Sequence, residues 1–138
     1  MMRKLDNRGF AAFEFILVFV SFFTLIFAIF DLGRYAITMQ SLRMLASAGA
    51  RAVMINCYTP AVLQSPPQSP SCTGDPLSPT GKQNAAPFLY RGGLSPTLNT
   101  TTGASALTVT ASQPSFNMLM PIWGTALNAP SASTTIPF

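Results

Sequence analysis

Hydrophobic residues are concentrated near one end of this chain. Residues 15–30 contain no charged residue and consist mostly of Phe, Ile, Leu and Val. The apolar pattern begins at Phe10, and a helix over residues 10–30 spans roughly 30 Å, the thickness of a bilayer core. The pattern therefore predicts one transmembrane helix over residues 10–30.

A short polar leader, residues 1–9, precedes this helix. Its basic residues, Arg3, Lys4 and Arg8, favour a cytoplasmic N-terminus and place the rest of the chain beyond the membrane. A cleaved secretory signal would have a shorter apolar segment followed by a small-x-small cleavage site. Here the apolar run gives way to Asp31-Leu-Gly-Arg-Tyr, so a retained anchor is the better interpretation.

Helical periodicity continues beyond the apolar segment, and no proline occurs before Pro60. Apolar and small residues recur four and three apart, which predicts one helix over residues 10–54, about 65 Å long. The stem, residues 31–56, either packs this stripe against another helix or the protein's own head, or stands in solvent. The stripe consists of Tyr35, Met39, Leu42, Ala46, Gly49 and Val53.

Beyond Arg51 the composition changes to Pro, Ser, Thr, Gly, Asn and Ala. The head, residues 57–138, has few large apolar residues, so it needs a disulfide, a membrane or a partner for stability. Six prolines in residues 58–79 predict a loop that cannot be helical. Cys57 and Cys72 suit a disulfide on a periplasmic or extracellular side, worth about 3 kcal/mol for a loop of this size. Two free thiols are the alternative.

The remainder of the head contains β signals. Residues 104–112 alternate apolar and hydroxyl side chains and predict a strand, and residues 126–136 predict a weaker one. Between them, the apolar residues 116–123 form the core of the head, an interface, or a segment leaning on the membrane. The expected fold class is α+β, with a long N-terminal helix and a small, loop-rich head containing a few strands.

Charge and composition exclude several classes of function. The formal net charge is +4, but the basic residues lie at the N-terminus and along the stem, so nucleic acid is not an expected partner. The chain has no histidine and four scattered acidic residues, which disfavours a metal site and general acid–base catalysis. We therefore expect neither an enzyme nor a small-molecule substrate, metal or cofactor.

Glu14 lies five residues into the otherwise apolar helix. An unpaired carboxylate in hydrocarbon is costly, so such a residue is a functional candidate. The alternative is an interfacial Glu14 that reaches back to headgroups and basic neighbours.

Asp31 and Arg34 are three residues apart where the helix leaves the predicted membrane segment. By themselves they predict a local ion pair, worth at most a few tenths of a kcal/mol if it is solvated. Arg34 can also extend its charged end to the membrane interface.

The sequence around Glu14 resembles the processing site of type IV pilin-like precursors. Gly9 ends a basic leader, Phe10 is a hydrophobic first mature residue, and Glu14 is the fifth mature residue. The resemblance implies that prepilin peptidase cleaves between Gly9 and Phe10 and creates a new α-amino group. That cation beside Glu14 of a neighbouring subunit would offset the desolvation of both charges and set the register during assembly.

A larger part of the chain resembles the TadE-like pseudopilins of tight-adherence secretion systems. Their pattern combines a Gly-x-x-x-x-Glu-Phe helix start, an acidic-x-Gly-Arg element, a Gly-Ala-Arg segment and a following cysteine. Members often carry a proline in the middle of the helix, and this chain has none there. The matching elements are Gly9, Glu14-Phe15, Asp31-Leu32-Gly33-Arg34, Gly49-Ala50-Arg51 and Cys57.

The resemblance implies a minor pilin or pseudopilin of a tight-adherence pilus, located in the bacterial inner membrane or in a surface pilus. Its N-terminus would be cytoplasmic and its head periplasmic. Its partners would be the membrane, prepilin peptidase, other pilins and the pilus assembly machinery. An uncleaved single-pass scaffold or binding module is the alternative, but such an anchor needs neither Gly9 nor Glu14.

Overall fold

A single long helix dominates the structure, a computed structural model that describes residues 8–66 and 68–138. Helix α1, Arg8–Val53, is 46 residues long and confirms the predicted continuous helix. Its residues 10–30 are almost entirely exposed, because no part of the head covers them. By length and composition this helix fits a single-pass membrane anchor. Residues 1–7 of the predicted leader lie outside the described residues.

Helical structure continues past the predicted end of the stem. A π-helical turn, Met54–Tyr58, follows α1 and leads into α2, Thr59–Val62. The prediction that residues 58–79 cannot be helical was therefore wrong for the first part of that segment. Pro60 lies in the first turn of α2, directly after the π-helical turn, and its fixed φ is compatible with a helix.

Besides α2, the described part of the head contains two short α-helices, a 3-10 turn at Pro121–Trp123 and one antiparallel sheet. The sheet has the strand order β1-β2-β3, and β1 pairs with β2 from Thr97↔Ser112 to Thr102↔Leu107. Strand β2 also pairs with β3, from Ala106↔Pro137 to Ser112↔Ser131. These elements confirm the α+β fold. Their bounds are Pro79–Ala85 for α3, Pro87–Arg91 for α4, Thr97–Thr102 for β1, Ala106–Ser112 for β2 and Ser131–Pro137 for β3.

Two predicted strands are present, whereas strand β1 and helices α3 and α4 were not predicted. Strand β2 confirms the alternating pattern, and β3 occupies the second half of the weaker prediction. Helices α3 and α4 each start with a proline in the first turn, and the Ser78 hydroxyl accepts a hydrogen bond from the Gly81 N–H at 3.1 Å. Proline is tolerated in the first turn of a helix, so a proline-rich segment can contain helix starts as well as loops.

The stem packs its stripe against the protein's own sheet. On the helix side the buried residues include Leu42, Ala46 and Val53, whereas Tyr35 and Met39 are half-buried. The sheet side presents alternate residues of β2 to the helix, because successive strand residues point to opposite faces. The solvated-stem alternative is therefore wrong, and the stem forms one side of the core. The core residues on the other side are Cys72, Ala86, Leu89, Leu98, Leu107, Val109, Ala111 and Ile136.

Candidate functional site

The predicted processing site lies at the beginning of α1. Gly9 is helical, and Phe10 and Glu14 are both exposed on this helix. Glu14 is the fourth residue after Phe10, so the two positions lie on the same helix face about one turn apart. An α-amino group created at Phe10 would therefore lie close to the level of the Glu14 carboxylate along the helix.

The predicted membrane segment presents an aromatic stripe. Phe15, Phe19, Phe23 and Phe27 follow one another at intervals of four, with successive ring centroids 5.8, 4.3 and 6.2 Å apart. All four side chains are exposed, so their rings are available to lipid or to another helix.

Two hydroxyl groups in the same segment are satisfied within the helix. Ser21 Oγ donates to the Leu17 carbonyl at 2.9 Å, and Thr24 Oγ1 donates to the Val20 carbonyl at 2.7 Å. Such internal bonds suit a surrounding that offers no water.

Asp31 connects the end of the apolar segment to the C-terminal part of the head. Its carboxylate accepts hydrogen bonds from the Leu119 N–H at 3.0 and 3.2 Å and from the Met120 N–H at 3.0 Å. The side chain is 1% exposed because the loop covers it. The predicted Asp31–Arg34 pair is present, but Asp31 is not solvated, so the small energy expected for a solvated pair does not apply to it.

The charge of Asp31, which lies beyond residues 10–30, is favoured by these contacts. Burial by itself raises the pKa of this carboxyl, but the N–H groups of Met120 and Leu119 and the Arg34 charge together lower the pKa below its ordinary value. The buried indole N–H of Trp123 faces the same carboxylate and lowers the pKa further, although it makes no hydrogen bond of ordinary geometry. Asp31 therefore binds the loop as a carboxylate.

Arg34 connects the same two parts of the molecule. Its guanidinium lies 3.3 Å from the Asp31 carboxylate and 5.3 Å from the centroid of the Phe116 ring, within the range of a cation–π interaction. Tyr35 also packs near Phe116, with ring centroids 6.3 Å apart. Gly33, in contrast, faces open space, and nothing in the packing explains its presence in the acidic-x-Gly-Arg element.

The disulfide holds the opposite end of the stem. Cys57 in the π-helical turn is bonded to Cys72, with their Cα atoms 6.1 Å apart, so the free-thiol alternative is wrong. The Cys72 N–H donates to Thr102 Oγ1 at 2.9 Å, and the Thr102 hydroxyl donates to the Cys72 carbonyl at 2.9 Å. The bond therefore joins the stem to the edge strand β1 through Cys72.

The polar face of the stem carries an open groove of about 460 Å³, with Arg43 and Arg51 in its lining. Within residues 8–66 and 68–138, no cluster of three or more His, Cys, Asp or Glu residues could hold a metal ion. The groove has no carboxylate or histidine in its lining, so it presents positive charge without an acid–base pair.

Sequence reasoning missed the loop that binds Asp31. Leu119 and Met120 contribute only backbone N–H groups, and a backbone donor leaves no signature in side-chain identity. Two sequence features could have indicated the contact. An acidic residue directly follows the apolar segment, and an uncharged apolar cluster, residues 116–123, lies far along the chain.

Comparison with known proteins identifies the N-terminal part of the chain. No curated protein and no solved structure matches the chain. The family model described as TadE-like protein matches residues 9–51, which span almost all of α1 and contain Gly9, Glu14, Asp31 and Arg34. The head lies outside this match. Residues 9–51 are TadE-like, which confirms the family resemblance expected from their motifs.

Proposed function

We propose that this chain is a minor pilin or pseudopilin of a tight-adherence pilus. The observation that carries the proposal is the arrangement of Gly9, Phe10 and Glu14 at the start of an exposed apolar helix, inside the TadE-like segment 9–51. In this role the chain is structural: it is the substrate of a membrane peptidase and does not catalyse a reaction.

The precursor is inserted in the bacterial inner membrane by residues 10–30, with the leader, residues 1–9, in the cytoplasm. The basic residues of the leader support this orientation. The Cys57–Cys72 disulfide also supports it, because disulfides persist in the oxidising periplasm and are rare in the cytoplasm. The stem and the head, residues 31–56 and 57–138, then lie on the periplasmic side.

Prepilin peptidase cleaves the precursor between Gly9 and Phe10. The new α-amino group and the Glu14 carboxylate of a neighbouring subunit then form a pair of opposite charges in the apolar environment, which offsets the desolvation of both. The mature helix packs with other pilins in the filament, at its tip or in a priming complex of the assembly machinery. The head is displayed for assembly or adhesion.

The test is the N-terminus of the protein from native membranes, determined by mass spectrometry with and without the host's prepilin peptidase. We expect a peptidase-dependent start at Phe10, and we expect Gly9→Ala to retain the leader. Gly33→Ala is the matched control, since an added Cβ at Gly33 meets no atom within 4 Å. A start at Met1 or Met2 in both strains would identify an uncleaved anchor or scaffold and refute the proposal.

A further inference from the structure

We infer that the loop of residues 117–123 rests on the lipid bilayer, with Leu119 and Ile122 in the boundary between headgroups and acyl chains. The inference rests on membrane insertion of α1 and does not depend on peptidase processing or on a pilus. It assigns a second membrane contact to the protein, made by the head and separate from the helix.

The loop exposes apolar side chains without any charge. Leu119 is 75% exposed and Ile122 is 58% exposed, although both are large and aliphatic. Residues 114–130 contain no charged residue. Exposed aliphatic side chains in an uncharged loop are unfavourable in water and suit a lipid surface.

The hydrogen bonds to Asp31 determine the position of this loop along the helix. The Leu119 and Met120 N–H groups bind Asp31, the first charged residue after the apolar run. Residues 10–30 are about as long as the hydrocarbon core is thick, so Asp31 lies at the membrane boundary when this segment spans the bilayer. The loop is therefore held at the depth where headgroups meet acyl chains.

The remaining groups of the loop are compatible with that depth. The two N–H groups that bind Asp31 are already paired, so the approach of lipid does not leave them without acceptors. Trp123 belongs to the residue type that is enriched at membrane interfaces, because its ring is apolar and its N–H is polar. Arg34, whose side chain is 44% exposed, can extend towards phosphate groups at the same level.

A tryptophan placed in the loop reports contact with lipid directly. Trp123 is the only tryptophan of the chain, so Trp123→Phe provides a background without other indoles. This change removes the indole N–H that faces Asp31 but keeps the Leu119 and Met120 N–H groups that hold the loop on the carboxylate. In this background we would introduce Leu119→Trp in the full-length protein and reconstitute it at high dilution in phosphatidylcholine vesicles. Some vesicles would contain lipid brominated near the headgroup end of the acyl chains.

Ile55→Trp in the same background is the matched control. Ile55 is a similarly exposed aliphatic residue, at 71%, and lies 24 residues beyond Asp31, about 36 Å further along the helix axis. Formation of the Cys57–Cys72 disulfide in each variant checks that the far end of the stem has folded. Addition of Asp31→Asn to each variant checks that the loop is docked, because it should change the emission of Trp at position 119 only when the contacts to Asp31 are present. Ile122→Trp replaces Leu119→Trp if that variant does not form the disulfide.

We expect brominated lipid to remove most of the emission of Trp at position 119 and to leave emission at position 55 unchanged. This result should not vary with the protein-to-lipid ratio. Equal emission at position 119 with and without bromine would place the loop in water and overturn the inference. If quenching by lipid is lost and the emission shifts as the protein density rises, a second copy of the protein covers the loop. That result also overturns the inference.

Discussion

At the scale of single residues, Asp31 makes contacts that a local ion pair does not provide. A solvated Asp–Arg pair on a helix is worth a few tenths of a kcal/mol. Asp31 additionally accepts hydrogen bonds from two backbone N–H groups that lie 88 and 89 residues away in the sequence. Hydrogen bonds to an ionised group are stronger than those between neutral groups, so this residue holds the loop to the helix.

Asp31→Asn should release the loop before the rest of the head unfolds. The amide is neutral, and only one of its two terminal atoms accepts hydrogen bonds, so the loop contact should weaken by about 2 kcal/mol. Urea titration of the full-length protein in detergent, followed by Trp123 emission and by the circular dichroism of the sheet, would separate the two events. We expect the Trp123 transition to shift to lower urea.

Asp75→Asn is the control for this substitution. Asp75 pairs with Lys82 and accepts from the Leu77 N–H, but it is exposed, so we expect at most about 1 kcal/mol. Trp123 transitions that coincide in the wild type and in Asp31→Asn would contradict the role given to Asp31.

Two glycines of α1 should respond to alanine in opposite directions. At Gly49 an added Cβ would lie 3.0 Å from both Leu98 Cδ2 and Val109 Cγ1, whereas at Gly33 it would meet nothing within 4 Å. We expect Gly49→Ala to destabilise the head by about 1 kcal/mol through overpacking. Gly33→Ala should stabilise the helix by up to about 1 kcal/mol, since alanine is the better helix former.

Urea unfolding of both glycine variants, measured by circular dichroism, tests this difference. Equal midpoints for Gly49→Ala and Gly33→Ala would show that the helix and the sheet are not in close contact at Gly49.

At the scale of elements, α1 has two environments along one uninterrupted helix. Residues 10–30 expose apolar side chains in every direction, as a helix in lipid does. From residue 38 onwards one face is buried against the sheet, and Arg43 and Arg51 remain exposed on another. The change of environment occurs near Asp31, where the loop first contacts the helix.

The disulfide should stabilise the far end of the stem. It closes a sequence separation of 15 residues, so its removal by Cys57→Ala with Cys72→Ala should cost about 3 kcal/mol of unfolding free energy. The urea midpoint of the double variant, without reductant, measures this cost. Wild-type protein with reductant is the matched control and should unfold at a urea midpoint similar to that of the double variant. A double variant as stable as the oxidised wild type would contradict the expectation.

At the scale of the whole molecule, the head is fastened to the helix at two points. Asp31 holds the loop at the membrane end of the stem, and Cys57 holds the segment before β1 at the opposite end. The 26 residues between these points correspond to about 39 Å of helix. The core lies between them, so the head lies alongside the stem over this length.

This arrangement leaves the TadE-like start of α1 free of the head, so Glu14 can be altered without disturbing the fold. We expect Glu14→Ala to insert and form the disulfide normally but to lose pilus assembly, because the charge opposite the α-amino group of Phe10 is absent. Immunoblotting of sheared surface fractions measures assembly. Ser21→Ala, which also replaces a polar residue of the membrane segment, is the control and should assemble normally. Normal assembly by Glu14→Ala would show that the charge pair is not needed.

Local sequence alone determined the anchor helix, the start motif, the disulfide partners and strand β2. Each depends on composition or spacing within one segment: apolar length against bilayer thickness, two cysteines beyond the membrane, and alternation along a strand. Sequence also identified the stripe that forms the helix side of the core, but it left the partner of that stripe open.

Only the tertiary structure decided what the stripe and Asp31 contact. The stripe packs on a sheet that includes β1, which sequence analysis missed, and Asp31 binds backbone groups 88 and 89 residues away. Helical structure also continues through Pro60, by way of the π-helical turn that precedes it, and nothing in the local sequence indicated that turn. Contacts between distant segments and between backbone groups leave little trace in local residue patterns, so the attachment of the head to its anchor had to come from the fold.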